Sequence, residues 1–330
     1  MKKSSQSPHS EVVIQHVDSS TIDETVRDIM EQCGWQELVS RGARIVLKPN
    51  LCTKDASQIE MSDTDVRLTA AVCKVLLSRT GNILIGEANH LRQNAWEAFE
   101  ATGYVRMARD LGVKLVNFSE ASTKRIPCKP ASGLAMPSVL LEADAFITLP
   151  VLKTHSLTYF TGALKNQWGC VPQYDRILLH KWLDQMLVSL HSILRPGLSI
   201  MDGIVGMEGR GPVNGRPRRL NVILASRDAV ALDATAMRLV GLEPDRASHV
   251  ALAAREGLGR FKPEEIKIVG DWERHRTQFE PAILDWAQAA MNYLSRYHWF
   301  VKVALQNDYV FKPGRALVQI LRRVGIVEGG

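Results

Sequence analysis

The chain has 330 residues, 45% of them hydrophobic and 23% charged, and a formal net charge of +6. Those fractions are typical of a globular protein with core enough for one large domain or two smaller ones. The charge is too small and too dispersed for a dedicated nucleic-acid binder, and no run approaches the roughly eighteen apolar residues a membrane-spanning helix needs.

In chain order, residues 1–10 carry Lys2 and Lys3 but no apolar leader segment and read as a disordered tail. Residues 12–17 read as a strand and 21–39 as an amphipathic helix capped by 18–20. Strands at 44–48 and 82–86 flank a helix at 65–78. Helical segments follow at 94–101 and 105–111, with further strands at 113–118 and 145–149. A helix at 176–194 ends at Arg195-Pro196-Gly197. Strands at 198–201 and 221–225 precede a helix at 228–240, and 266–269 is a short late strand. Residues 281–300 and 315–324 read as basic amphipathic helices. Strands alternating with helices predict an α/β fold, a mostly parallel doubly wound sheet flanked by helices. The expected division is a tail at 1–10, an α/β core at 11–275 and a helical C-terminal extension at 276–330.

Five cysteines (Cys33, Cys52, Cys73, Cys128, Cys170) are scattered with no pair at two-residue spacing, which disfavours a zinc ribbon or an iron–sulfur cluster and suits reduced thiols in the cytoplasm. Serine-hydrolase elbows, Walker loops and Gly-x-Gly-x-x-Gly fingerprints are absent from the sequence.

Four polar clusters each follow a predicted strand, where open α/β sheets bind their ligands. The richest, 149–169, reads as a loop carrying Lys153, His155, Lys165 and Asn166, the floor of an anion-binding site. Crowded or buried lysines lose basicity and become bases at neutral pH, and histidine is the natural proton shuttle. Lys48-Pro49-Asn50 leaves a strand in a direction fixed by proline. In Gly86-Glu87-Ala88-Asn89-His90, Glu87 and His90 are a candidate acid–base pair. The glycine-rich stretch 201–212 reads as a loop presenting Asp202 and Glu208, as hard oxygen ligands for a divalent metal or as acid–base carboxylates, and Arg210 for substrate. Asp228 suits an N-cap, whereas Asp233 is an odd acid inside an apolar helical turn.

Several segments together resemble the family of the domain of unknown function 362. They are Lys48-Pro49-Asn50, Phe99 to Tyr104, Leu152-Lys153-Thr154-His155, Gly162-Ala163-Leu164-Lys165-Asn166, Asp202-Gly203-Ile204, Glu208 to Pro212 and Asp228 to Asp233. They run in family order over roughly residues 10 to 270. The resemblance implies a prokaryotic cytoplasmic α/β protein and leaves its chemistry undefined. Many members carry a ferredoxin-like cluster module, but this sequence has no Cys-x-x-Cys, so no iron–sulfur cluster is expected here.

The leading expectation is an enzyme acting on a small anionic, carboxylate-type metabolite in a biosynthetic pathway, by isomerase, lyase or decarboxylase-like proton transfer. Lys153, His155 and Lys165 are its candidate catalytic groups. Lys48, Asn50, Asn166, Glu87 and Arg210 would hold substrate, and Asp202 and Glu208 are the option for a divalent metal. One rival is an accessory protein that binds a cofactor or metal and docks a partner, or a second copy, through its C-terminal helices. Another is a redox enzyme using a bound metal or an exogenous cofactor.

Overall fold

The computed structural model describes residues 9–323 except 92, 285 and 306. Twelve strands are described: β1 (Ser10–His16), β2 (Ile45–Pro49), β3 (Ile83–Glu87), β4 (Lys114–Asn117), β5 (Thr123–Ile126), β6 (Leu134–Pro137), β7 (Ala145–Leu149), β8 (Val151–His155), β9 (Tyr159–Phe160), β10 (Leu198–Glu208), β11 (Arg216–Ser226) and β12 (Ile266–Gly270). The main sheet runs β12–β1–β11–β10–β7–β2–β3–β4, with β5 and β6 a separate hairpin. Its pairings are parallel except along β11, which is antiparallel to both β1 and β10, and at the short β8–β9 hairpin. This is the mostly parallel sheet that alternating strand and helix patterns predict.

Side chains alternate across β2. Ile45 and Leu47 join Val26, Ile29, Leu68 and Val72 in one core layer, while Val46 faces Phe146, Met186 and Leu187 in another. Helices therefore cover both faces, as the near-continuous apolar runs of parallel strands require.

Order along the sheet places β2 between β3 and β7, so successive connections leave it in opposite directions. Crevices at such switch points, beyond the strands' carboxyl ends, are where doubly wound sheets accommodate ligands. Here the crevice is widened by a fork. β10 pairs first with β7 at Leu198 and Ser199, then with β8 from Asp202 to Met207, so the chain after Pro150 follows β10 and leaves β2 behind.

Several elements differ from expectation. Stretch 149–169 is not a loop: it contains β8, β9 and a short helix, Gly162–Asn166. Residues 201–208 continue β10, and their glycines serve packing, since a Cβ on Gly206 would lie 2.8 Å from the Leu152 carbonyl oxygen. The helix expected at 21–39 is broken at Gly34 into Ile22–Gln32 and Trp35–Leu38. That at 176–194 begins as a 3₁₀ segment, Tyr174–Trp182, before the α-helix Leu183–Leu194. Helices Ala56–Ser62 and Ser248–Arg255 are additional. Of the expected tail, residues 1–8 lie outside the described residues, and Ser10 already belongs to β1. The C-terminal helices run Trp286–Leu294, His298–Phe300 and Asp308–Arg323, with 324–330 outside the described residues. Among the described residues, no helix is long and apolar enough to cross a membrane.

Candidate functional site

At the fork lies a cavity of about 230 Å³ whose walls include Lys48, Asn50, Glu87, Lys153, His155, Lys165 and Asn166. Seven of the expected site residues thus converge from β2, β3, β8 and the helix Gly162–Asn166. Arg176, His90, His180 and Cys52 complete the polar wall. Four cationic side chains face this space and Glu87 is the single carboxylate among its lining residues.

Each charged group is held differently. Lys48, at the end of β2, is fully buried, and its Nζ donates to Glu87 Oε2 at 2.5 Å and to the Pro49 carbonyl at 2.6 Å. The other oxygen of Glu87 accepts from the Ala88 amide at 3.0 Å, and Oε2 also accepts from Leu51 N at 3.2 Å. Glu87 is therefore committed to Lys48 and backbone amides, not to His90 as an acid–base pair. Asn166 braces the same corner, donating to Lys48 O at 3.0 Å and Thr148 Oγ1 at 2.8 Å. Gly169 caps it, because a Cβ there would stand 2.3 Å from Glu87 Oε1 and 2.7 Å from Lys48 Nζ.

Lys153, on β8, directs its ammonium at Ser62 O (2.6 Å), Cys52 Sγ (3.1 Å) and Pro212 O (3.3 Å). Three acceptors match its three donors. The nearby Asp63 carboxyl is pushed up to about 7 by burial, which the Lys153 charge only partly offsets. Arg176 donates to the Val171 carbonyl.

Lys165 is the exception. Among the described residues its ammonium has no hydrogen bond or ion pair. Burial, then the charges of Arg176 and Lys153, bring its pKa down to about 7. The helix that carries it is fixed from below by Asp233, whose carboxylate accepts from Ala163 N (2.6 Å) and Leu164 N (3.0 Å). Gly162, at φ +58, leaves the room this needs: a Cβ would sit 2.3 Å from Asp233 Oδ1. The odd acid of the apolar helix is thus the anchor of the site's lysine, and burial raises its own pKa to about 7.

His155 Nδ1 accepts from the backbone amides of Leu157 (3.0 Å) and Thr158 (3.4 Å), so the proton of the neutral ring sits on Nε2. Burial and the neighbouring Lys165 charge hold its pKa well below the ordinary histidine range. His180 is pushed down to about 3 by burial and the Lys165 and Arg176 charges, and His90 is lowered by burial with Arg176. The lowered pKa values leave all three rings in the neutral form in this positive field, with the His155 Nε2–H as its remaining donor.

Three expected site residues stand elsewhere. β10 holds Asp202 and Glu208 six positions apart, about 20 Å along an extended strand, too far to share an ion. Asp202 accepts from Asp65 N (2.7 Å) and Ile204 N (2.9 Å), whereas Glu208 pairs with Arg218 (2.8 Å) and Arg216 (3.4 Å). Both carboxylates are structural anchors. Among the described residues no group of three or more His, Cys, Asp or Glu side chains could hold a metal. Arg210 is not among the residues lining the cavity. Sequence reasoning also missed Arg176, His180 and Cys52, which carry no motif. Cys52 had one faint signal, its position two residues beyond Asn50.

A larger cleft, about 1270 Å³, opens beside Ser10, Arg227 and Arg260. Of the four acids along it, Glu11, Asp228, Asp245 and Glu265, Asp228 is spent on the amides of Ala231 and Arg260 and on the Ser10 hydroxyl. Chemistry, not size, selects the smaller cavity.

Comparison with known proteins agrees with the resemblance. The model of a domain of unknown function, DUF362, matches residues 45–238, more than half of the chain. A thylakoid-associated protein of Synechocystis sp. (strain PCC 6803) is 30% identical over 253 residues, 74% of this chain and 77% of that protein. Among solved structures, the lactate racemase apoprotein from Thermoanaerobacterium thermosaccharolyticum aligns with a TM-score of 0.44 and 12% identity, over 67% of this chain and 54% of that one. A structural-genomics protein from Thermotoga maritima aligns with a TM-score of 0.36 and 14% identity, over 72% of this chain and 59% of that one. The chain thus spans little more than half the length of those two structures. By the extent of the family match and by its relative, this chain belongs to the DUF362 family.

Proposed function

We propose that this protein is an enzyme that binds a small carboxylate-type anion in the forked cavity and moves a proton on it. One observation carries the reading: Lys165, with no partner among the described residues and a pKa near 7, faces a cavity it shares with three other cationic side chains and a single carboxylate. A cavity of about 230 Å³ suits a metabolite of few heavy atoms, since each water of the liquid occupies about 30 Å³.

In this reading Lys153 and Arg176 supply fixed positive charge for the anion, and Lys48, Asn50 and Asn166 shape its seat. Neutral Lys165 takes a proton from the carbon next to the carboxylate, and His155 Nε2–H donates to the oxygen on which charge develops. Isomerisation and elimination both begin with that abstraction, whereas a decarboxylase would use the site the other way round, the Lys165 ammonium giving its proton to the carbanion left when carbon dioxide departs; a biosynthetic role is the setting we assign. The five free thiols suit a reducing cytoplasm, where we place the protein.

The test is proton exchange. The purified chain, incubated in deuterium oxide with small mono- and dicarboxylates, is expected to wash deuterium into at least one of them by NMR, and Lys165→Met to abolish it. If calorimetry detects no bound carboxylate and no exchange occurs across the series, the reading fails.

A further inference from the structure

The C-terminal helices present an apolar surface that the core does not use. In the helix Asp308–Arg323, Tyr309 is 92% exposed, Leu317 57% and Ile320 55%, and Trp299, in the short helix His298–Phe300, is 62% exposed. Leu317 and Ile320 recur at helical spacing with Val310, so one broad stripe is apolar and open. The complementary positions 312, 315, 319 and 322 read Lys, Arg, Gln and Arg. Over residues 286–323 the sequence holds six Lys and Arg against a single acid, Asp308.

We infer that this face docks on an anionic lipid bilayer, the helix lying in the plane of the headgroups. An amphipathic helix with cations on its narrow polar strip and aromatic or aliphatic residues opposite has the composition of an interfacial helix. Tyr309 at its N-terminal end, and exposed Trp299 in the short helix His298–Phe300, are residue types suited to the boundary between headgroup and acyl chain. Sixteen residues of helix extend about 24 Å, short of the roughly 30 Å hydrocarbon thickness, so the segment lies on the membrane and does not cross it. A second copy is the poorer occupant, because a two-fold contact between the apolar stripes brings no compensating negative charge to the cations of the opposite strip. Anionic headgroups satisfy the apolar stripe and the charge together.

Co-sedimentation of the full chain with vesicles tests this inference. Binding is expected to mixed phosphatidylglycerol–phosphatidylcholine vesicles, with much weaker binding to phosphatidylcholine alone and release by salt. Leu317→Asp with Ile320→Asp lies on exposed positions, so folding is retained and sedimentation is lost. Lys312→Glu and Arg315→Glu each weaken partitioning by about fivefold or more, the worth of one cation near such a surface. A wild-type chain that stays in the supernatant with the mixed vesicles overturns the proposal, as does a double aspartate variant that sediments normally. So does a dimer by analytical ultracentrifugation that the double variant dissociates in a chain indifferent to vesicles, which assigns the face to a second copy.

Discussion

Lys48 and Glu87 form an ion pair at 2.5 Å in which neither side chain is more than 2% exposed. Such a pair is expensive to bury and more expensive to break, because removing one partner leaves an uncompensated charge. Lys48→Met is expected to cost about 3–5 kcal/mol in denaturant unfolding. Adding Glu87→Gln is expected to recover most of that stability while turnover stays lost, since the seat for the anion is gone. Recovery of activity in the double variant would reduce Lys48 to a purely structural role.

Lys165 sets the pH response. With its pKa lowered from the ordinary 10.5 to about 7, the neutral amine accumulates above that value, so kcat/KM is expected to rise with pH through about 7 to a plateau. Lys165→Met removes the limb and at least about a hundredfold of the rate, the lower end of general-base contributions. Lys165→Arg keeps the charge for binding but offers no base. The same shift acts on stability: between about 7 and 10.5 the unfolded chain holds more protons at this site, so its share of stability increases with pH there. Thermal melts of Lys165→Met are expected to lack that increment.

Gly169→Ala tests the crowding around the pair. Its methyl group would press on Glu87 Oε1 and Lys48 Cε, at 2.3 and 2.7 Å. Overpacking of this kind costs about 1–3 kcal/mol, and the displaced ammonium should raise KM more than it lowers kcat. An unchanged KM with an unchanged melting temperature would show that the corner yields freely.

Asp233→Asn probes the anchor beneath Lys165. The amide keeps one acceptor where the carboxylate uses two, so one of the Ala163 and Leu164 amides loses its partner, at about 1–3 kcal/mol. The pH dependence has a definite sign. A carboxyl whose folded pKa is raised from 3.8 to about 7 contributes stability below about 4 that fades as pH climbs through 7. Equilibrium unfolding of Asp233→Asn should therefore decline less than wild type over that window.

Much of this site was legible because its residues announce themselves by type and place. A lysine beside a proline at a strand end, or two lysines and a histidine within a dozen positions, is visible without coordinates, and the cavity gathers seven such residues. Local pattern failed where long-range contacts decide. Glycines at 203 and 206 look like a flexible loop, yet they lie in β10, where Gly206 permits close contact with β8. Asp202 and Glu208 look like ligands, but backbone amides and arginines elsewhere in the chain claim them. Asp233 was conspicuous by its chemistry, while its target lies about seventy positions away. Arg176 carries no local signature, because only the folded 3₁₀ segment turns it toward the lysines.

The branching of the sheet after Pro150 means that the void is made by main chain, not by the side chains that paint it. Substitutions in those walls can therefore recast the cavity's polarity and shape without rebuilding the frame.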